Sequence, residues 1–441
     1  MLIRNLAALL AIAVATRVDA QSISPPSDRG AAAPAGVVAT SITDVQPSPL
    51  SLEEALGIAA QNNPLLRGAR ANADATQGAF MQAGARPNPE VSFLQEGFGG
   101  AERTATALVN QTVELGGKRQ ARLDVASYGR EAALASLDGR GAALRSDVVA
   151  AFYSLLAAQF HLQVTQESAD IAARSADLAE KRSRAGKVSP IEATKARVAA
   201  TGVQIELANA RTRVSIAEAK LANVTGSPLM PGRSIAGDIG ALPTVEPLSE
   251  LLTRLVEAPL SRFARAEMLR SNAAISVERA KRIPDITFSA GMKRVITGGI
   301  PDNQAVVGVS IPLPLFNTNR GALLEAVHQA EKANAEFDNE KARLQLELTQ
   351  AYASYESAAL MASRLKADVL PSARDALNAM TRGYELGRFS LLDVLDAQRT
   401  LFQGQQQYVQ ALADAHLAYA DIGRLVGTTL HSPADRTPKL P

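Results

Sequence analysis

Two periodicities alternate along the chain. Apolar residues recur every three to four positions from about Gly117 to Arg184, Val188 to Thr225, Asn319 to Leu386 and Ser390 to Val426, a pattern that predicts helices. Between these stretches the period drops to two. From Asp285 to Lys293, Ile286, Phe288, Ala290 and Met292 alternate with Thr287, Ser289 and Gly291, which predicts a strand with one apolar face. Its partner spans about Gln304 to Leu313, and Gly298, Gly299 and Pro301 read as the connecting turn. A second hairpin is expected from about Glu90 to Phe98 and Thr104 to Leu115, joined through Gly99 and Gly100. A helix precedes each hairpin. The first starts at Ser51, where Glu54 three residues on completes a capping box, and the second runs from Leu248 to Arg282.

The two halves are copies. Pro89-Glu-Val-Ser-Phe93 returns as Pro284-Asp-Ile-Thr-Phe288, an offset of 195. Gly186-KVSPIEATKA-Arg197 returns as Gly387-RFSLLDVLDA-Gln398, and Val224-Thr-Gly226 as Leu425-Val-Gly427, both at an offset of 201. Two repeats follow, residues 50–226 and 247–427, each with a helix, a strand hairpin and a long helical hairpin. The first arm of each helical hairpin reaches roughly 100 Å and the second about 60 Å, so the helix preceding each strand restores the missing length.

Four strands of about ten residues are long enough to cross a bilayer when tilted, and one face of each is apolar. Four cannot close a barrel, and open edges are not tolerated in hydrocarbon, where the smallest barrels use about eight strands. Copies of the chain must therefore pool their strands. A trimer, unlike a dimer, leaves a lumen wide enough for passage.

Composition supports this picture and removes others. The 46 basic and 44 acidic residues leave a formal charge of +2, with no electrostatic footprint for nucleic acid. The absence of cysteine excludes disulfides, thiolate metal sites and N-terminal lipidation. The four histidines, 161, 328, 416 and 431, show no metal-ligand spacing, and no phosphate loop or catalytic triad is assembled, so neither cofactor nor enzymatic activity is expected. Residues 1–20 read as a secretory signal peptide cleaved after Ala20, and no later run reaches the length of a membrane-spanning helix. Residues 21–49 and 428–441 have disorder-type composition.

From Leu50 to Gly427 the chain resembles the TolC family of outer-membrane efflux proteins. The resemblance rests on Ser51-LEEAL with Asn62-Asn-Pro64, on Gln111-TVELGGKRQAR-Leu123, and on Tyr384-ELGRFSLLDVLDAQRTLF with Leu425-VG. It implies a mixed α and β membrane protein, a homotrimer whose outer-membrane β-barrel of twelve strands continues into a periplasmic helical barrel. It also implies contact with outer-membrane lipid, a periplasmic adaptor (membrane fusion) protein and an inner-membrane pump. Val113-ELGGKRQAR looks most like the cobalt-zinc-cadmium branch, which works with RND-type pumps. The alternative is a generic strand-to-helix turn. Drug efflux or type I protein secretion are the other cargo readings, and a periplasmic coiled-coil scaffold without a pore is the reading from a different class.

The resemblance places the adaptor-contacting tips at Gly186, Lys187, Val188 and Ser189 and at Gly387, Arg388, Phe389 and Ser390. Turn chemistry accounts for the glycines and serines, which leaves Lys187, Arg388 and Phe389 as the residues expected to face the adaptor. Asp393 and Asp396, three apart on one helical face, are implied to narrow the periplasmic entrance, with a solvated face or a salt bridge from Asp396 to Lys195 as the purely structural alternative. The first repeat has Glu192 and Lys195 at those two positions.

Overall fold

The computed structural model describes residues 49–100, 102–228 and 235–427. The expected signal peptide, the tail over 428–441 and all but the last residue of the 21–49 segment lie outside them. In order, the elements are α1 (Leu52–Asn62), α2 (Pro64–Gly84), β1 (Glu90–Glu96), β2 (Glu102–Val113), α3 (Lys118–Arg184) and α4 (Pro190–Thr225). Then come α5 (Leu248–Leu255), α6 (Pro259–Ala280), β3 (Ile286–Thr297), β4 (Ile300–Ser310), α7 (Arg320–Arg364), α8 (Leu370–Glu385) and α9 (Leu391–Val426).

Three predicted helices are altered at a proline, two of them broken and one distorted. The first divides at Asn63-Pro64: the proline ring disfavours helical geometry in the residue before it, and Asn63 turns extended. Its side chain then caps α2, accepting from Leu65 N at 2.9 Å and Leu66 N at 3.2 Å, and donates to the Val224 carbonyl at 3.1 Å. The second divides in the same way before Pro259. The third, expected to be continuous from Asn319 to Leu386, carries one π-helical turn over Leu365–Val369, just ahead of Pro371. A proline has no N–H for the preceding turn, and the wider π turn absorbs that loss without ending the helix. The equivalent stretch of α3 has no proline and stays regular for 67 residues, about 100 Å. Contrary to the expectation that no run after the leader is long enough, part of α3 is apolar enough to cross a membrane by length and composition, yet half of it is buried within the protein.

The four strands form one antiparallel sheet in the order β1-β2-β3-β4. The central β2–β3 pairing joins the two repeats, running from Glu102 opposite Thr297 to Val113 opposite Ile286. Gly298 and Gly299 alone, both at positive φ (60° and 89°), form the β3–β4 turn. Pro301, expected in that turn, lies instead in β4 opposite Ile296.

The core is a string of small clusters along the helices. Phe152, Leu155 and Val148 of α3 pack with Leu50, Leu56 and Leu221. Leu251, Leu344, Leu348 and Leu425 form the matching cluster of the second repeat. Another lies near the helical turns, where Ala179, Ala196, Leu377, Tyr384, Leu391 and Val394 meet. The many alanines at these contacts let long thin helices approach closely.

Candidate functional site

Two regions carry chemistry: the sheet and the pair of helical tips at the opposite end of the long helices. In the sheet, register sorts side chains onto two faces. One face gathers Val91, Phe93, Val109, Phe288, Met292 and Val307. The other carries a polar ladder: Asn110 Nδ2 donates to Ser92 Oγ at 3.1 Å, Ser289 Oγ donates to Asn110 Oδ1 at 2.7 Å, and the Thr112 and Thr287 hydroxyls lie 3.1 Å apart. In β3 the apolar side is the more exposed, with Phe288, Ala290 and Met292 open and Thr287, Ser289 and Gly291 half-buried. A sheet in water turns its apolar face inward; this one turns it outward.

The strand-to-helix junctions below the sheet are held by charge. Gly116 and Gly117 take positive φ (68° and 75°), and a Cβ at Gly116 would lie 2.8 Å from the Ile283 side chain. Lys118 Nζ meets Asp285 at 2.6 Å, Arg122 grips Glu114, and Arg119 donates to the Gly84 carbonyl at 2.6 Å. Glycines and basic residues of the ELGGKRQAR motif therefore have a structural role. In the second repeat the left-handed turn falls to Asn319 (φ 54°), whose amide donates to the Glu278 carbonyl at 2.8 Å.

At the tips, each incoming helix ends in a left-handed glycine, Gly186 (φ 70°) or Gly387 (φ 77°), and each outgoing helix is capped by a serine. Lys187 N bonds the Arg182 carbonyl at 2.9 Å and Arg388 N the Gly383 carbonyl at 2.8 Å, so the turns are built alike. Lys187 and Arg388 are exposed. Phe389 is not free: its ring lies on Gly383, where an added Cβ would come within 1.9 Å of it. Asp393 closes a capping box, its Oδ2 accepting from Ser390 N at 2.9 Å and Ser390 Oγ at 2.7 Å, and these bonds hold its carboxyl below the usual carboxylate range. Asp396 pairs with Arg399 at 2.7 Å on its own helix, not with Lys195. Both aspartates are exposed on α9.

Sequence reasoning missed Arg182. Its guanidinium lies 4.6 Å above the Tyr384 ring and donates to the Tyr384 carbonyl and, at 3.2 Å, to that of Glu385. It thereby joins the end of α3 to the end of α8. The 201-residue offset aligns Arg182 with Gly383, an unlike pair that could have flagged it.

Comparison with known proteins covers both repeats. The family described as Outer membrane efflux protein matches residues 55–227 and again 255–428. This chain belongs to that family. Its members are outer-membrane efflux channels, transport conduits rather than enzymes. The chain is 41% identical over 380 residues to the cobalt-zinc-cadmium resistance protein CzcC of Cupriavidus metallidurans, covering 86% of this chain and 90% of that one. Among solved structures, CusC superposes with a TM-score of 0.75 at 19% identity, over 85% of this chain and 92% of CusC. The outer membrane protein VceC of Vibrio cholerae does so with 0.73 at 20%, over 86% and 97%. These two likenesses concern the fold.

Proposed function

We propose that three copies of this chain close a twelve-stranded outer-membrane β-barrel continuous with a periplasmic helical tunnel, and that this duct passes heavy-metal cations outward. The observation that carries the reading is the inverted sheet: its apolar face is the exposed one, and β1 and β4 each keep one edge without a partner strand among the described residues. Closure with further copies satisfies both edges and places the polar ladder in the lumen. The cargo reading rests on the 41% identity to CzcC. A periplasmic adaptor and an RND-type inner-membrane pump supply drive and selectivity, and a leader cleaved after Ala20 delivers the chain.

In this reading Lys187 and Arg388, with Gly186, Val188, Ser189, Gly387, Phe389 and Ser390 shaping the turns, meet the adaptor. Asp393 and Asp396 line the periplasmic entrance, where six carboxylates from three copies attract cations and repel anions. Detergent-extracted protein is expected to cross-link as a trimer and to conduct in planar bilayers; a soluble monomer overturns the reading. Replacing both aspartates with alanine is expected to raise conductance and weaken cation selectivity, and an unchanged single-channel record removes the entrance assignment. Cells lacking the chain are expected to lose tolerance to cobalt, zinc or cadmium. Loss of drug or protein export alone points to the other cargo.

A further inference from the structure

The two faces of the sheet differ in charge as well as in polarity. Carrying the register across all four strands places Glu90, Glu96, Glu102, Asp302 and Lys293 on the polar face and only Arg103 and Arg294 on the apolar one. Both arginines sit toward the hairpin turns, at the end of the sheet away from the helices. Arg103 pairs with Ile296 and Arg294 with Ala105, so the two are diagonal neighbours, a spacing of roughly 7–8 Å between backbones. Asn303 lies opposite Arg294, and Gln95, opposite Ala105 in the same cross-strand row, is diagonal to Arg103. Both guanidiniums are exposed, and neither has a hydrogen bond or ion pair among the described residues. Every carboxylate of the strands points to the opposite face.

An unpaired charge is costly beside hydrocarbon, and arginine on the lipid side of a barrel is tolerated only near the interface, where an anion can meet it. The guanidinium fork matches phosphate oxygens bidentately, and two forks one diagonal apart fit a head bearing more than one phosphate. Directly below them along the strands, Met292, Ala107 and Phe93 continue the apolar face for acyl chains.

We infer that Arg103 and Arg294, with Gln95 and Asn303 beside them, form a docking patch for the phosphorylated headgroup of an outer-leaflet glycolipid. The inference rests on the barrel reading above and adds a specific lipid to it. The patch orients the barrel by tying its outer rim to the phosphate layer.

The test uses the full-length trimer in detergent, native mass spectrometry and three probes: lipid A bearing its phosphates, the same lipid A with its phosphates removed, and inorganic phosphate. Wild type is expected to retain phosphorylated lipid A in preference to the dephosphorylated form. R103Q/R294Q is expected to bind it about tenfold more weakly, R103K/R294K to recover part of the loss, and K293Q, on the opposite face, to match wild type. Inorganic phosphate alone is expected not to displace the lipid. Equal binding by wild type and R103Q/R294Q, equal binding of dephosphorylated lipid A, or displacement by inorganic phosphate overturns the inference. Conductance in planar bilayers separates the two readings: wild type that conducts while R103Q/R294Q binds normally ends the patch alone, and wild type that neither trimerises nor conducts ends the barrel.

Discussion

The two helical tips share one backbone and differ in what it carries. In the first repeat the residue two positions before the end of the incoming helix is Arg182; in the second the aligned residue is Gly383. The glycine leaves room for Phe389 to fold back onto its own helix, while the aligned Val188 is too small to need such room. The arginine instead reaches across and holds the carbonyls of Tyr384 and Glu385. One tip is self-packed and the other supplies the tie. Duplication provided two equal turns, and divergence at one position made them complementary, so the pair behaves as a unit that neither turn forms alone.

The largest disturbance should come where the repeats join in the sheet. A Cβ at Gly291 would lie 1.9 Å from the Ala107 carbonyl oxygen, so Gly291→Val should separate β2 from β3, cost more than about 3 kcal/mol and abolish the cross-linked trimer proposed above. Gly308→Val, where the nearest atom is 3.6 Å away, should be mild. Normal assembly of the Gly291 variant would mean that the seam is slack.

At the tips, Arg182→Met removes the tie and should cost about 1–3 kcal/mol, read as faster hydrogen exchange at 384–388 and 183–187 together. If only the first tip loosens, the tips are independent. Gly383→Ala should loosen the second tip alone by displacing Phe389, by a similar amount.

Asp393→Asn weakens the capping box and should lower the melting temperature slightly, whereas Glu192→Gln in the first repeat should fall within experimental error because Ser189 caps α4 without it. The Asp393 carboxyl is held below its ordinary range, so its contribution is present at neutral pH and is lost as pH falls through the acidic range; the Asn variant should show a flatter acid limb in thermal melts.

A pH-linked effect concerns His416, aligned with exposed Ser215. His416 is buried, stacks on Tyr153 with ring centroids 3.6 Å apart, and bonds the Ile239 carbonyl at 2.9 Å. Burial lowers its pKa, although the backbone carbonyl and nearby Asp238 oppose the shift. As pH drops through roughly 6.5 the unfolded chain takes up a proton that the folded one resists, so stability declines there. His416→Phe should shrink that step, leaving the part that belongs to buried His161, whose pKa is lowered by burial and by Arg213, and an unchanged step would assign it to His161 alone.

Much of this protein was legible from local patterns. Period-two alternation located the hairpins at Gly99 and Gly298 because side-chain alternation is a property of each strand alone. The internal offset of 201 identified equivalent tips, and Gly186, Ser189, Gly387 and Ser390 followed from turn chemistry among near neighbours. Helix continuity was less legible, since Pro64 and Pro259 break their helices whereas Pro371 only widens one turn, an outcome set by surrounding packing.

Contacts between residues far apart in the chain needed the tertiary structure. The bond of Arg182 to Tyr384 spans 202 positions and the β2–β3 seam about 180, and neither leaves a periodic trace. Asp396 chose Arg399 over Lys195 because a partner one helical turn away is always within reach, while one on another helix depends on how the helices rotate about each other. The sequence by itself determined which residues alternate and which positions repeat. Only the tertiary structure decided which face of the sheet is open, which tip holds the other, and which charges meet, because each depends on packing long helices side by side rather than on the order of neighbours along one.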